Sequence, residues 1–123
     1  CWREQAGRRE YLLVNTLNPR RWIVPKGWPM KGRSLAEAAS IEAWEEAGVR
    51  GVLSDQPIGS YFYDKLTGTG LPVRCEVRVF PIEVTGLADS YPEKRRRDRR
   101  WATREEAVSL LGEPDLKRLI TTV

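Results

Sequence analysis

Three glutamates near the end of a predicted helix are the residues best placed to do chemistry. Glu42, Glu45 and Glu46 have the spacing i, i+3 and i+4, which places them on one face of a helix. The segment from Leu35 to Gly48 contains no lysine or arginine, and like charges near the negative end of the helix dipole weaken a helix. The pattern indicates a compensating cation, and oxygen ligands favour a hard ion such as Mg²⁺ or Mn²⁺. The alternative is an acidic face that is simply solvated.

The composition excludes several other kinds of catalysis. The 123 residues include no histidine, which removes Ser-His-Asp and Cys-His nucleophile systems and histidine-ligated zinc sites. Hydrophobic residues make up 41% of the chain and charged residues 31%, as in a soluble globular protein without membrane spans. We therefore expect one domain over residues 1–123. Cys1 and Cys75 lack the C-x-x-C spacing, which favours a reducing cytoplasm as the location.

Positive charge is concentrated in one segment of the chain. The net charge is +4, but residues 94–100 alone carry six positive charges and one negative charge. The rest of the chain is close to neutral, which favours a single anion-facing loop and argues against nucleic acid as the partner. Two alternatives are a basic loop that is only solvated and a nucleic-acid-binding protein that uses residues 94–100.

Neighbouring elements must hold the helix that carries the glutamates. Ser34 and Glu37 form a capping box, which predicts a helix over residues 35–48 that ends at a glycine. The order of the predicted elements is typical of a mixed α/β or α+β layered domain. Turns are predicted at 18–19 and 64–72, strands at 11–14, 22–24, 49–53, 58–63, 73–80 and 101–102, and helices at 104–111, stopped by Gly112, and 114–121.

Residues 27–49, GWPMKGRSLAEAASIEAWEEAGV, resemble the Nudix box, the signature of the Nudix hydrolases. The family pattern is a glycine, five residues, a glutamate, seven residues and then Arg-Glu-U-x-Glu-Glu-x-Gly-U, in which U is aliphatic. Arg33 replaces the first glutamate of the pattern and Ile41 replaces the arginine. Because these two positions would otherwise form an opposite-charge pair, losing both leaves no unpaired buried charge. The matching positions are Gly27, Glu42, Ala43, Glu45, Glu46, Gly48 and Val49.

The resemblance implies a fold and an activity. The fold is an α/β (α+β) domain, a Nudix-type α/β/α sandwich with a mixed central β-sheet. The activity is Mg²⁺- or Mn²⁺-dependent hydrolysis of a phosphoanhydride bond in a nucleoside diphosphate linked to another moiety. Residues 22–25 before the glycine loop and the basic run before Trp101 look like the branch that hydrolyses diphosphoinositol polyphosphates and diadenosine polyphosphates.

The resemblance also implies roles for individual residues. Glu42 and Glu46 are expected to bind the metal ion together with the carbonyl of Gly27, and Glu45 is the candidate catalytic base. The roles of Glu42 and Glu45 could be exchanged. A small phosphorylated substrate also needs positive charge from the protein. The candidate substrate-binding residues are Arg21, Lys26, Arg74, Arg78, Arg97 and Arg99.

Two further expectations concern binding. Trp28 follows the glycine of the box and could either stack on a base or anchor the loop. Exposed tryptophans could also serve a homodimer, and no membrane partner is expected. The alternative to an enzyme is a Nudix-fold protein that binds a nucleotide or an inositol phosphate without cleaving it.

Overall fold

Two β-sheets and three helices make up the part of the chain that the structure, a computed structural model, describes: residues 1–16, 21–66 and 68–122. Each of these helices is too short or too polar to cross a membrane. The elements are β1 (Trp2–Gln5), β2 (Arg8–Asn15), β3 (Trp22–Ile23), α1 (Leu35–Ala47), β4 (Val49–Leu53), β5 (Gly59–Leu66), β6 (Pro72–Val79), β7 (Ile82–Leu87), β8 (Arg99–Thr103), α2 (Arg104–Leu110) and α3 (Pro114–Thr122).

The larger sheet is organised around β2. Its order is β3-β2-β1-β7-β4, and β8 also pairs with β2. Tyr11 of β2 pairs with both Trp2 and Ala102, so β1 and β8 lie on opposite edges of β2. Strands β1 and β7 run parallel, and the other strand pairs within the described residues are antiparallel. Strands β5 and β6 form a separate two-stranded sheet.

Helices cover both faces of the larger sheet. Tyr11 and Leu13 of β2 pack in a core cluster with residues of α2 and α3, whereas Leu12 and Val14 pack in a second cluster with residues of α1. Because successive side chains of a strand point to opposite faces, a strand buried on both faces is an unbroken apolar run. The expected α/β/α sandwich with a mixed central sheet is therefore confirmed.

Local capping signals place the helix that carries the glutamates. The Ser34 hydroxyl accepts from the Glu37 amide, and the Glu37 carboxylate accepts from the Ser34 amide, so the predicted capping box is formed. Gly48 ends α1 in the left-handed conformation, with φ 66°. A side chain there would also collide with the ring of Tyr91, since a Cβ would lie 2.6 Å from Tyr91 Cδ1.

Several predicted boundaries were wrong because distant pairing decides them. Strands β1 and β7 were not predicted, and they extend the sheet between β2 and β4. Strand β5 continues to Leu66 and strand β6 begins at Pro72, so the turn between them is shorter than the predicted 64–72. Helix α2 ends before Gly112, because Leu111 is extended and its side chain is buried in the core. The predicted turn at 18–19 lies outside the described residues.

Candidate active site

Three carboxylates from two distant parts of the chain converge at the C-terminal end of α1. Glu42, Glu45 and Glu93 each offer an oxygen, and these three oxygens all lie within 4.8 Å of one another. Glu93 belongs to the segment between β7 and β8, and its amide donates a hydrogen bond to the carbonyl of Glu45 at 2.9 Å. The three side chains are half-buried. This all-oxygen donor set fits a hard divalent cation such as Mg²⁺ or Mn²⁺.

Glu46 lies behind the three carboxylates and is almost fully buried, with 2% of its surface exposed. Burial, and after it a hydrogen bond with Glu42, raises its pKa to about 8, although the nearby charge of Arg97 opposes the rise. Among the described residues, Glu46 Oε1 has no hydrogen-bond donor, and the closest cation is Arg97, whose Nη1 lies 3.9 Å away. Burying a charged carboxylate costs free energy, so a cation bound nearby would stabilise the ionised form of Glu46.

Gly27 packs directly against the site. A Cβ atom on Gly27 would overlap the side-chain carboxyl group of Glu42. Only glycine therefore lets the loop approach this carboxylate so closely. The structure thus brings together four of the predicted site residues, Gly27, Glu42, Glu45 and Glu46, and adds Glu93, which the sequence analysis missed. The signal for Glu93 was weak: one acidic residue four positions before Arg97 at the edge of the basic segment.

Two arginines of the basic segment hold the site together from within. Arg97 Nε donates to Glu93 Oε1 at 2.9 Å, and Arg97 Nη1 donates to the Asn15 carbonyl at 3.2 Å. Arg99 Nη1 donates to the Ala47 carbonyl at 2.7 Å, which neutralises the negative end of α1. Both residues were predicted to bind substrate. That role stays a prediction, and their observed partners belong to the protein itself.

A cleft of about 1330 Å³ opens beside the carboxylates. Lys26 borders it, and burial lowers the pKa of this ammonium group while the charge of Glu113 opposes the shift. Lys26 Nζ lies 3.6 Å from the ring centre of Tyr63, and Lys65 Nζ lies 4.4 Å from the ring centre of Trp28. The cleft therefore combines cations with aromatic rings next to an acidic centre.

The other predicted substrate-binding arginines lie at the border of the cleft or close to Lys26. Arg21 is exposed but lies near enough to Lys26 for its charge to lower the pKa of that lysine. Arg74 and Arg78 border the cleft, although strand alternation places them on the face of β6 opposite to the one that packs against the core. Arg74 stacks on Phe62, with its guanidinium carbon 4.7 Å from the ring centre.

The two departures from the box, Arg33 before α1 and Ile41 in its middle, leave the acidic centre intact. Arg33 forms an ion pair with Glu37, with Nη1 and Oε2 3.6 Å apart, and both side chains are more than half exposed. An exposed pair of this kind contributes little stability. Ile41 is only partly buried. Neither substitution displaces the glutamates, since Glu42 and Glu45 still converge with Glu93.

Comparisons with known proteins agree with this geometry. No family model matches the chain. The chain is 36% identical over 108 residues to Nudix hydrolase 12, mitochondrial, of Arabidopsis thaliana, a match covering 85% of this chain and 53% of the relative. It is 33% identical over 110 residues to Nudix hydrolase 13, mitochondrial, of the same plant, covering 82% and 52%. The chain belongs to the Nudix family.

Solved structures show the same fold as this Nudix domain. The Ap4A hydrolase of C. elegans, in a binary complex, superposes with a TM-score of 0.67 at 23% identity, covering 98% of this chain and 87% of that chain. The MutT protein of Methanosarcina mazei superposes with a TM-score of 0.62 at 22% identity, covering 98% and 85%. The Nudix domain spans about half the length of the curated relatives that it matches.

Proposed function

We propose that this Nudix domain is a divalent-metal-dependent hydrolase that cleaves a phosphoanhydride bond in a nucleoside diphosphate linked to another moiety. The observation that carries the proposal is the convergence of Glu42, Glu45 and Glu93 within 4.8 Å. Behind them lies the buried Glu46, whose Oε1 accepts no hydrogen bond from the described residues, and a cleft with a half-buried lysine lies beside them. Dinucleoside polyphosphates and diphosphoinositol polyphosphates are the substrate classes to test first.

The carboxylates are proposed to hold Mg²⁺ or Mn²⁺ with the help of the Gly27 carbonyl. When bound, the ion would neutralise the diphosphate and lower the pKa of the attacking water. Glu42 and Glu46 are the ligands that the family resemblance favours, while the geometry adds Glu93 as a further ligand. Glu45 is proposed as the base that takes the proton from the water. The test below distinguishes this assignment from the one in which Glu42 is the base and Glu45 binds the metal ion.

The protein's cations have a different task from the carboxylates. Lys26 is proposed to donate hydrogen bonds to a phosphate oxygen of the substrate, because its ammonium borders the cleft and is partly shielded from water. Arg21, Arg74 and Arg78 are proposed to bind the more distant phosphates of a longer substrate. Each of them lies near the cleft or near Lys26.

The proposal is tested with Mg²⁺ or Mn²⁺ by measuring nucleotide release from dinucleoside polyphosphates and phosphate release from diphosphoinositol polyphosphates. The variants are Glu42→Gln, Glu45→Gln, Glu46→Gln and Glu93→Gln, with the exposed Glu105→Gln as control. A ligand variant should lower Mn²⁺ affinity, whereas a base variant should lower kcat and leave Mn²⁺ affinity intact. Tight nucleotide binding without any turnover would instead support the non-catalytic sensor.

Location and assembly stay predictions. The proposed location is a reducing cytoplasm, whereas the two Arabidopsis relatives are named as mitochondrial. A homodimer is proposed on the basis of exposed apolar side chains such as Val52 and Phe62. Light scattering at several protein concentrations tests the assembly.

A further inference from the structure

Trp28 differs from the other tryptophans of this chain. It is 54% exposed, whereas the remaining four, Trp2, Trp22, Trp44 and Trp101, are partly buried. Three of these four pack against the two core clusters. Trp28 borders the cleft, so it presents a large aromatic surface on which a planar ligand can stack.

The position of Trp28 relates it to the acidic centre. It is the next residue after Gly27, whose backbone contacts the carboxyl group of Glu42. Because consecutive Cα atoms are about 3.8 Å apart, the Trp28 Cα lies roughly 8 Å or less from the carboxyl group of Glu42. A nucleotide has a similar separation between its base and the phosphates beyond its sugar.

One face of the Trp28 ring is already occupied by a group that a ligand can displace. Lys65 Nζ lies 4.4 Å from the ring centre. An exposed cation–π contact is weak, and stacking of a nucleobase on an aromatic side chain is stronger. An incoming base therefore replaces the ammonium group, and the displaced lysine is then free to pair with a phosphate of the same ligand.

We propose that Trp28 is the platform on which the base of a nucleotide substrate stacks, and that it makes the site selective for nucleotides over inositol polyphosphates. This inference rests on the proposed function for the position of the phosphates. Stacking needs a planar π-system. An inositol ring is saturated and cannot stack, so the preference follows from the shape and electronic structure of the ligand.

The test measures binding of ADP and of inorganic tripolyphosphate by calorimetry in the presence of Mg²⁺, for the Trp28→Ala, Trp28→Phe and Leu71→Ala variants. Trp28→Ala should weaken ADP binding about tenfold or more and leave tripolyphosphate binding unchanged. Trp28→Phe should retain most of the ADP affinity, because a phenyl ring still stacks. Leu71→Ala changes an exposed side chain that does not border the cleft, so this control should bind both ligands normally.

A second readout keeps the proposal testable if Trp28→Ala is unstable. ADP should quench the tryptophan fluorescence of the natural chain, and this quenching should disappear in Trp28→Phe while binding persists. Unchanged ADP affinity in Trp28→Ala, an equal loss for tripolyphosphate, or full quenching in Trp28→Phe would each overturn the proposal. Binding is measured without turnover, so an inactive protein that still binds ADP through Trp28 would refute the hydrolase and leave the platform intact.

Discussion

Arg97 is the residue whose removal best tests how the acidic centre is assembled. Its guanidinium group contacts three elements of the site: Glu93 at 2.9 Å, the Asn15 carbonyl at 3.2 Å and Glu46 at 3.9 Å. The side chain is 25% exposed, and the carboxylate of Glu46 is 3% exposed. Replacing Arg97 with methionine keeps much of the apolar stem but leaves the acidic side chains without their internal cation.

The magnitude follows from these contacts. A hydrogen bond to a charged group contributes about 1.5–3 kcal/mol, and loss of one partner of a fully buried pair costs about 3–5 kcal/mol. Arg97 is partly exposed and its distance to Glu46 is long, so the lower part of this range applies. We expect Arg97→Met to lower the free energy of unfolding by about 2 kcal/mol and the Tm by about 5–10 °C.

Urea unfolding with and without Mg²⁺ provides the assay. Since a bound cation replaces the missing positive charge, about 100 times the Kd of Mg²⁺ should stabilise the variant by about 2.7 kcal/mol. The matched control is Arg96→Met, which changes an exposed arginine on the same turn. If Arg97→Met were as stable as Arg96→Met, or if Mg²⁺ had no effect on its unfolding, the account of Arg97 as the internal counter-charge would be wrong.

Three other predictions concern the loop, the cap and the core. Gly27→Ala should lower turnover by about 100-fold, because the added methyl group displaces Glu42 and a displacement of about 1 Å is enough for such a loss. The control Gly112→Ala, which has open space around it, should have normal kinetics. Ser34→Ala should lower the free energy of unfolding by about 1 kcal/mol by removing the N-cap of α1, as measured by urea unfolding. Leu13→Ala should cost about 2–5 kcal/mol in the same assay, since Leu13 is fully buried, whereas Leu71→Ala, at a side chain that is 69% exposed, should be nearly neutral.

Local signals were enough to predict the central part of the site. The capping box of Ser34 and Glu37 and the glycine at position 48 act within a few residues of the helix they delimit. The spacing of Glu42 and Glu45 places them on one helical face without help from the rest of the chain. For that reason the start of α1, its end and two of the three converging carboxylates could be read from the residues alone.

Distant contacts decided the rest of the fold. Strands β1 and β7 carry weak local patterns, and they exist because they pair with each other and with their neighbours. The basic segment appeared as one feature in the sequence. In the folded chain Arg97 and Arg99 turn inward to Glu93 and to the end of α1, while Lys94, Arg95 and Arg96 stay exposed.

The sequence by itself determined that this chain presents carboxylates on a capped helix behind a glycine loop, because helix periodicity and capping are short-range effects. Only the tertiary structure decided that Glu93 joins them, that Glu46 is buried and that Trp28 remains exposed. Burial and convergence depend on which distant elements pack together, and neighbours along the chain do not encode that packing. The hydrogen bond from the Glu93 amide to the Glu45 carbonyl joins residues from two separate segments, and it forms only when the sheet has brought both segments to the same end of α1.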